Sequence, residues 1–291
     1  MDLIAVLLAV GATLIWGIML LTMKLGVDEM SWVGFGFLRP WMGLPFIALY
    51  AWITNGFVFE SPTLVLVALG GGVLNAFLGT GLFYYALAHG SMHESNILAN
   101  TGPFWGVVSA ILVLGEPAKP VTFTAGMLVV AGAYFLIRRS KGDTRTHNVP
   151  ALLAAVGAGI LWGFSAAVPT KFCMNGGMSP IAYELLFAGG ASVAWTLAAW
   201  PALRRGRMKF TRKGLWIAFI SSFLGLFVGW VLWLSAIQRV HASALAPMNG
   251  LTPLFAVLLG VIFLREPINR RILVGGTLTV AGVTLVSVLV R

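Results

Sequence analysis

The sequence predicts an all-α membrane protein of ten transmembrane helices, built as two inverted five-helix repeats. Three observations predict it. Hydrophobic residues fill 59% of the 291 positions and charged residues only 10%, against roughly a quarter charged in a soluble domain. The apolar stretches run about 17 to 25 residues, the length that crosses a bilayer as a helix. Landmarks of the first half also return in the second, in the same order and at offsets of 146 to 150 residues. Trp16-Gly17 returns as Trp162-Gly163, Lys24 as Lys171, Asn100-Thr101-Gly102-Pro103 as Gly250-Leu251-Thr252-Pro253, Glu116-Pro117 as Glu266-Pro267, and Val130-Ala131-Gly132 as Val280-Ala281-Gly282.

The first half divides into spans at about 3–25, 32–53, 62–88, 95–114 and 120–138, and the second at about 149–171, 180–201, 214–237, 243–264 and 270–290. The first span follows Met1-Asp2 directly, without the basic stretch that opens a signal peptide, so it is expected to be a retained helix. Ser61-Pro62 and Ser179-Pro180 start the third and seventh helices, and Ser91-Met92-His93-Glu94 reads as a capping box for the fourth. Gly115-Glu116-Pro117 and Arg265-Glu266-Pro267 end the fourth and ninth. The halves are therefore 1–138 and 149–291, joined by a basic linker at 139–148. Five spans per half is an odd number, so the second copy enters the membrane from the opposite side; a pair inverted in this way places its substrate path between the repeats near mid-bilayer.

Basic residues set the orientation. Fifteen of the 19 lysines and arginines flank the loops after odd-numbered helices: Lys24 and Arg39; Arg138, Arg139, Lys141 and Arg145; Arg204, Arg205, Arg207, Lys209, Arg212 and Lys213; Arg265, Arg270 and Arg271. The other face carries Lys119, Lys171, Arg239 and Arg291. The positive-inside rule puts the first set in the cytoplasm and both termini outside, in a multi-pass protein of the bacterial inner membrane. The net charge of +10 thus reflects topology, and no basic module with interleaved aromatics points to nucleic acid. Cys173 is the only cysteine, which excludes an intramolecular disulfide and a thiolate metal cluster; neither metal nor cofactor is expected. Acids and histidines are dispersed, so no nucleophile–base pair at membrane depth suggests an enzyme.

The Trp-Gly pair in the first helix of each half, the proline of the fourth helix and the following Glu-Pro resemble the EamA repeat of the drug/metabolite transporter superfamily. The residues concerned are Trp16-Gly17, Pro103 and Glu116-Pro117, with Trp162-Gly163, Pro253 and Glu266-Pro267. The resemblance implies alternating-access transport of small organic molecules through a central cavity. The aromatic content suggests similarity to the aromatic amino-acid exporters of that family. Related small multidrug transporters would have a glutamate in the first helix, where this chain has Thr13 and Trp16, so carboxylate-based proton antiport is disfavoured and a facilitator or exchanger expected.

Neutral polar and aromatic side chains remain as binding chemistry. Asn75, Asn96, Asn100 and Asn249 lie inside apolar spans, where an amide either bonds a neighbouring helix or faces a wet cavity. Trp16 and Trp162 are repeat-related, and with Trp230, Trp233 and Tyr84 they either wall a pocket or pack the bundle. Pro103 and Pro253 are hinge candidates. Lys24, Arg39, Lys171 and Glu184, read as lying near the two faces, are candidates for gate ion pairs or for interfacial snorkelling. The expected partners are a small-molecule substrate and membrane lipids, and a monomer could suffice.

Overall fold

The computed structural model describes residues 2–58, 61–90, 92–137, 148–264 and 270–289. The linker apart from Asn148, Ser91 of the capping box, the Arg265-Glu266-Pro267 turn and Arg291 lie outside the described residues, as do the side chains of Lys24, His93 and Glu94.

Among the described residues ten helices form two sets of five. In the first set, α1 is Leu3–Glu29, α2 Trp32–Ile53 and α3 Pro62–His89. Helix α4 is broken into Met92–Ala99 and Gly102–Leu114, and α5 is Pro120–Ile137. In the second set, α6 is Val149–Asn175, α7 Pro180–Arg204 and α8 Arg212–Ile237. Helix α9 runs as Ala242–Leu245, a 3-10 turn Ala246–Gly250 and Leu251–Leu264, and α10 is Arg270–Leu289. Short polar side chains start several of them by accepting from the first free N–H groups: Asp2 from Ile4, Ser31 from Gly34, Asn148 from Ala151, Ser179 from Ala182 and Thr211 from Gly214. Gly115, at φ 68°, ends α4 in the left-handed conformation that suits glycine. Helices α1, α3, α6, α7 and α8 each hold an apolar window of 18 residues. Exposed leucines such as Leu7, Leu66, Leu112, Leu153 and Leu197 cover the outside, as a lipid-facing surface requires.

The fourth and ninth helices, whose prolines are hinge candidates, each break just before that proline. Pro103 and Pro253 have no N–H to give to Ala99 O and Asn249 O, so the ladder lacks those bonds and each proline sits in the first turn of a new α-helical segment, begun at Gly102 and at Leu251. A second departure lies in the third helix of each set. Val73–Gly79 in α3 and Ser222–Gly229 in α8 are π-helical. Such stretches are rare and leave backbone groups displaced from the usual ladder.

Packing crosses between the sets in a two-fold pattern. Helix α1 lies on α8 and α9, and α6 reciprocally lies on α3 and α4; α2 meets α7 and α5 meets α10. The repeated Trp-Gly explains the crossing. The indoles of Trp16 and Trp162 press on Gly229 and Gly79, the last residues of the opposite π-stretch; a Cβ there would sit 2.6 Å from Trp16 Nε1 or 2.8 Å from Trp162 Cδ1. The adjoining glycines let a helix backbone approach. A Cβ on Gly17 would lie 3.1 Å from Thr252 O, and one on Gly163 would collide with Gly102 O. One residue pair thus docks the first helix of each repeat onto two helices of the other.

Candidate functional site

A cavity of about 130 Å³ lies where the two sets cross. Its floor is built by the two broken helices, through Ala99, Asn100, Gly102 and Pro103 of α4 and Asn249 and Thr252 of α9. Its walls are aromatic: Trp16 from α1, Tyr84 from α3, Trp162 from α6, Trp195 from α7 and Trp230 from α8. Asn75 and Thr80 of α3 and Arg39 of α2 add polar groups.

Three of these indoles are held by a hydrogen bond as well as by packing. Trp16 Nε1 donates to Gly225 O (3.1 Å), and Trp162 Nε1 donates to Thr80 Oγ1 (3.4 Å). Thr80 Oγ1 in turn donates to Asn75 O (3.1 Å), and Asn75 occupies in α3 the position that Gly225 occupies in α8. Where the first repeat interposes a hydroxyl, the second has Trp230, whose ring stacks edge-on to Trp16 at 5.6 Å. Trp195 Nε1 donates to Ala76 O (2.7 Å). Asn75 Nδ2 donates to Ser165 Oγ (2.8 Å) between α3 and α6, and Asn100 Nδ2 to Asn96 O (2.8 Å) across the break.

Of the residues singled out from sequence, the cavity brings together Trp16, Asn75, Tyr84, Asn100, Pro103, Trp162, Trp230, Asn249 and Arg39. Asn96 and Trp233 are not in its lining. Asn96 contributes its carbonyl to Asn100, and Trp233, 1% exposed, packs beneath Trp16 with ring centroids 5.4 Å apart. Pro253 is buried beside the lining residue Thr252.

The expectation for the charged residues needs correction. Arg39 does not lie at the membrane face: α2 begins at Trp32, so Arg39 sits about 10 Å along the helix at 1.5 Å per residue. It is only 4% exposed. Glu184 does lie near a helix end, four residues after Pro180 starts α7, but it is fully buried and neither carboxyl oxygen has a hydrogen-bond partner. It does not pair with Lys171. Lys171 Nζ instead donates to Ile237 O (2.9 Å) and Val240 O (2.8 Å), closing the end of α8. The next turn is closed by Glu116, whose carboxylate accepts from Ala242 N and Ser243 N, both at 2.8 Å, at the start of α9. On this side of the cavity Tyr183, Phe187, Trp233, Leu234, Ile237, Leu245 and Met248 are buried to 1% or less. The cavity extends the other way, along the last turns of α1 and α3 and the first turns of α2, with Met19, Leu20 and Met23 in its lining.

Trp195 and Thr80 also belong to the lining without being singled out by the sequence, as does Thr252, which the sequence marks only as a repeat landmark. The signal for Trp195 was its position 15 residues inside α7, far from either interface, opposite Gly36, whose Cβ would collide with the indole.

Comparison with known proteins accounts for this architecture. A solved crystal structure superposes with a TM-score of 0.81 over 98% of this chain and 96% of its own, at 18% identity, so the fold is shared. The probable 4-amino-4-deoxy-L-arabinose-phosphoundecaprenol flippase subunit ArnE of Pseudomonas fluorescens is 32% identical over 108 residues, covering 37% of this chain and 91% of that protein. The model of the EamA-like transporter family matches twice, over residues 3–138 and 149–288. The chain therefore belongs to the EamA-like transporter family, and is a membrane transporter made of two copies of its repeat.

Proposed function

We propose that the chain is a secondary transporter that exports amino acids with apolar or aromatic side chains from the cytoplasm by alternating access. The observation that carries this reading is the cavity lining: four indoles and a phenol alternate with the amides of Asn75, Asn100 and Asn249, and no acidic side chain takes part among the described residues. Aromatic walls suit an apolar side chain, and amides suit the polar end of an amino acid. Without a carboxylate in the cavity there is nothing there to exchange a proton against a cationic substrate, which supports a facilitator or exchanger. Export as the direction rests on the family resemblance, and the distribution of basic residues supports placing both termini outside the inner membrane.

Exchange in proteoliposomes tests this. Vesicles loaded with unlabelled L-phenylalanine are expected to accumulate labelled L-tryptophan saturably and without an imposed ion gradient, and to ignore glucose. Glucose exchange without amino-acid exchange would overturn the reading. Similarity to the flippase subunit supports a second one, movement of a phosphoundecaprenol-linked sugar. Translocation of such a lipid in the same vesicles, with no amino-acid exchange, would favour it.

A further inference from the structure

Among the described residues Arg39 is the one basic side chain in the cavity lining, and it is under-partnered. Its Nη1 donates to Tyr84 Oη (2.9 Å), its Nη2 approaches Met19 Sδ (3.0 Å), and its Cζ lies 5.9 Å from the centre of the Phe35 ring. Nε is buried with no partner, and among the described residues no carboxylate pairs with the guanidinium. An arginine offers five N–H donors and stays charged at any physiological pH, so most of its donors are unmatched here. A buried cation without a counter-charge is strongly disfavoured unless something supplies the anion.

A second feature of the cavity has the same sign. The 13-residue segment Gly102–Leu114 begins in the lining, at Gly102-Pro103, in the middle of the bundle. Pro103 has no N–H and those of Phe104 and Trp105 donate to Thr101 O, so this end presents the Gly102 N–H together with the positive end of the aligned peptide dipoles. Half-helices that start near mid-membrane commonly face the anionic group of a substrate. Tying α2 to α3 through Tyr84 needs only one donor and does not explain a fixed charge on the cavity wall.

We propose that Arg39, positioned by Tyr84, and the half-helix start at Gly102 form an anion subsite that receives the carboxylate of the substrate while the indoles hold its apolar end. For the choice of amino acids this rests on the function proposed above; for the anion requirement it does not. A planar guanidinium matches a carboxylate through two parallel hydrogen bonds, which ammonium or amide side chains cannot reproduce.

The test measures ligand-induced thermal stabilisation of the purified, detergent-solubilised protein, so it does not depend on transport. The probes are L-tryptophan, tryptamine (no carboxylate), indole-3-propionate (no ammonium) and inorganic phosphate. L-tryptophan and indole-3-propionate are expected to stabilise, and tryptamine and phosphate to do nothing. Arg39→Gln should weaken the response to both carboxylates roughly tenfold or more in half-saturating concentration, and should admit tryptamine. That gain cannot come from a misfolded protein. Arg39→Lys should weaken carboxylate binding less than Arg39→Gln does, and Tyr84→Phe should weaken it while keeping the preference for carboxylates. Stabilisation by tryptamine as strong as by L-tryptophan in the unaltered protein, or unchanged carboxylate binding in Arg39→Gln, overturns the subsite. Phosphate binding without carboxylate binding overturns the carboxylate assignment. Indole-3-propionate binding without L-tryptophan binding leaves the subsite standing and sinks the amino-acid reading.

Discussion

Trp16 and Trp162, 146 positions apart, each lay an indole on the end of the π-helical stretch of the opposite repeat, at Gly229 and Gly79. Both rings also line the central cavity, so the contacts that hold the repeats together are made by the same side chains that face a solute. Movement of one repeat against the other must therefore change the shape of the cavity, which is the coupling that alternating access needs.

Trp16→Ala and Trp162→Ala remove stacking surface worth roughly 1 kcal/mol or more. The half-saturating concentration for L-tryptophan exchange is expected to rise about fivefold or beyond in each. Trp16→Phe keeps most of the ring and loses the 3.1 Å bond to Gly225 O, and its effect should be smaller. Normal expression and monodispersity with unchanged kinetics in both alanine variants would remove these rings from the site.

Gly163→Val places a branched side chain against Gly102 O and Gly106 N, backbone atoms that cannot turn aside. A loss of about 1–3 kcal/mol is expected, read as a lowered midpoint of thermal aggregation in detergent. Gly189→Ala, on a helix where an added Cβ meets nothing within 4 Å, is the control and should be neutral or stabilising by about 0.5–1 kcal/mol. Equal behaviour of the two variants would show that the close crossing is unimportant.

Glu116→Ala leaves the N–H groups of Ala242 and Ser243 without their acceptor at the start of α9. The expected loss is about 1–2 kcal/mol in the same thermal assay, with Glu116→Gln intermediate because it keeps one acceptor oxygen. An alanine variant as stable as the parent would show that the turn is held by other contacts.

The repeat, the ten spans and the two repeat-related tryptophans of the cavity were legible in the sequence for one physical reason. A residue that docks across a two-fold axis has to occur in both copies, as Trp16-Gly17 and Trp162-Gly163 do, and the fourth-helix prolines declare their own breaks. Arg39 was misplaced because counting basic residues near loops ignores how far into a helix they sit; Ser31 caps α2 and so buries a residue seven positions after its start. The π-stretches left no signal in hydropathy. Gly225-x-x-x-Gly229 reads as a motif for close helix packing and does receive Met19 and Trp16 of α1, but on a π-helical turn that the motif does not announce. Trp195 has no tryptophan at the equivalent place in the other repeat, so repetition could not mark it.

Coupling is tested at Glu184, the fully buried carboxyl of α7 that lies outside the cavity lining. Transport of L-tryptophan is expected without a proton gradient and with little stimulation by one. Glu184→Gln preserves shape and should transport within about twofold of the parent. Strict dependence on a proton gradient, abolished in Glu184→Gln, would establish proton coupling through this residue instead.

Passage of the substrate through the cavity between the repeats is tested most directly by a single cysteine at Thr252, which lines the cavity and is 9% exposed, in a Cys173→Ala background. Inside-out and right-side-out vesicles carrying Thr252→Cys are treated with a membrane-impermeant maleimide, with and without L-tryptophan. Labelling from both sides, slowed by L-tryptophan in each, is the expected result. Labelling from one side alone, or at a rate that L-tryptophan leaves unchanged, would contradict it.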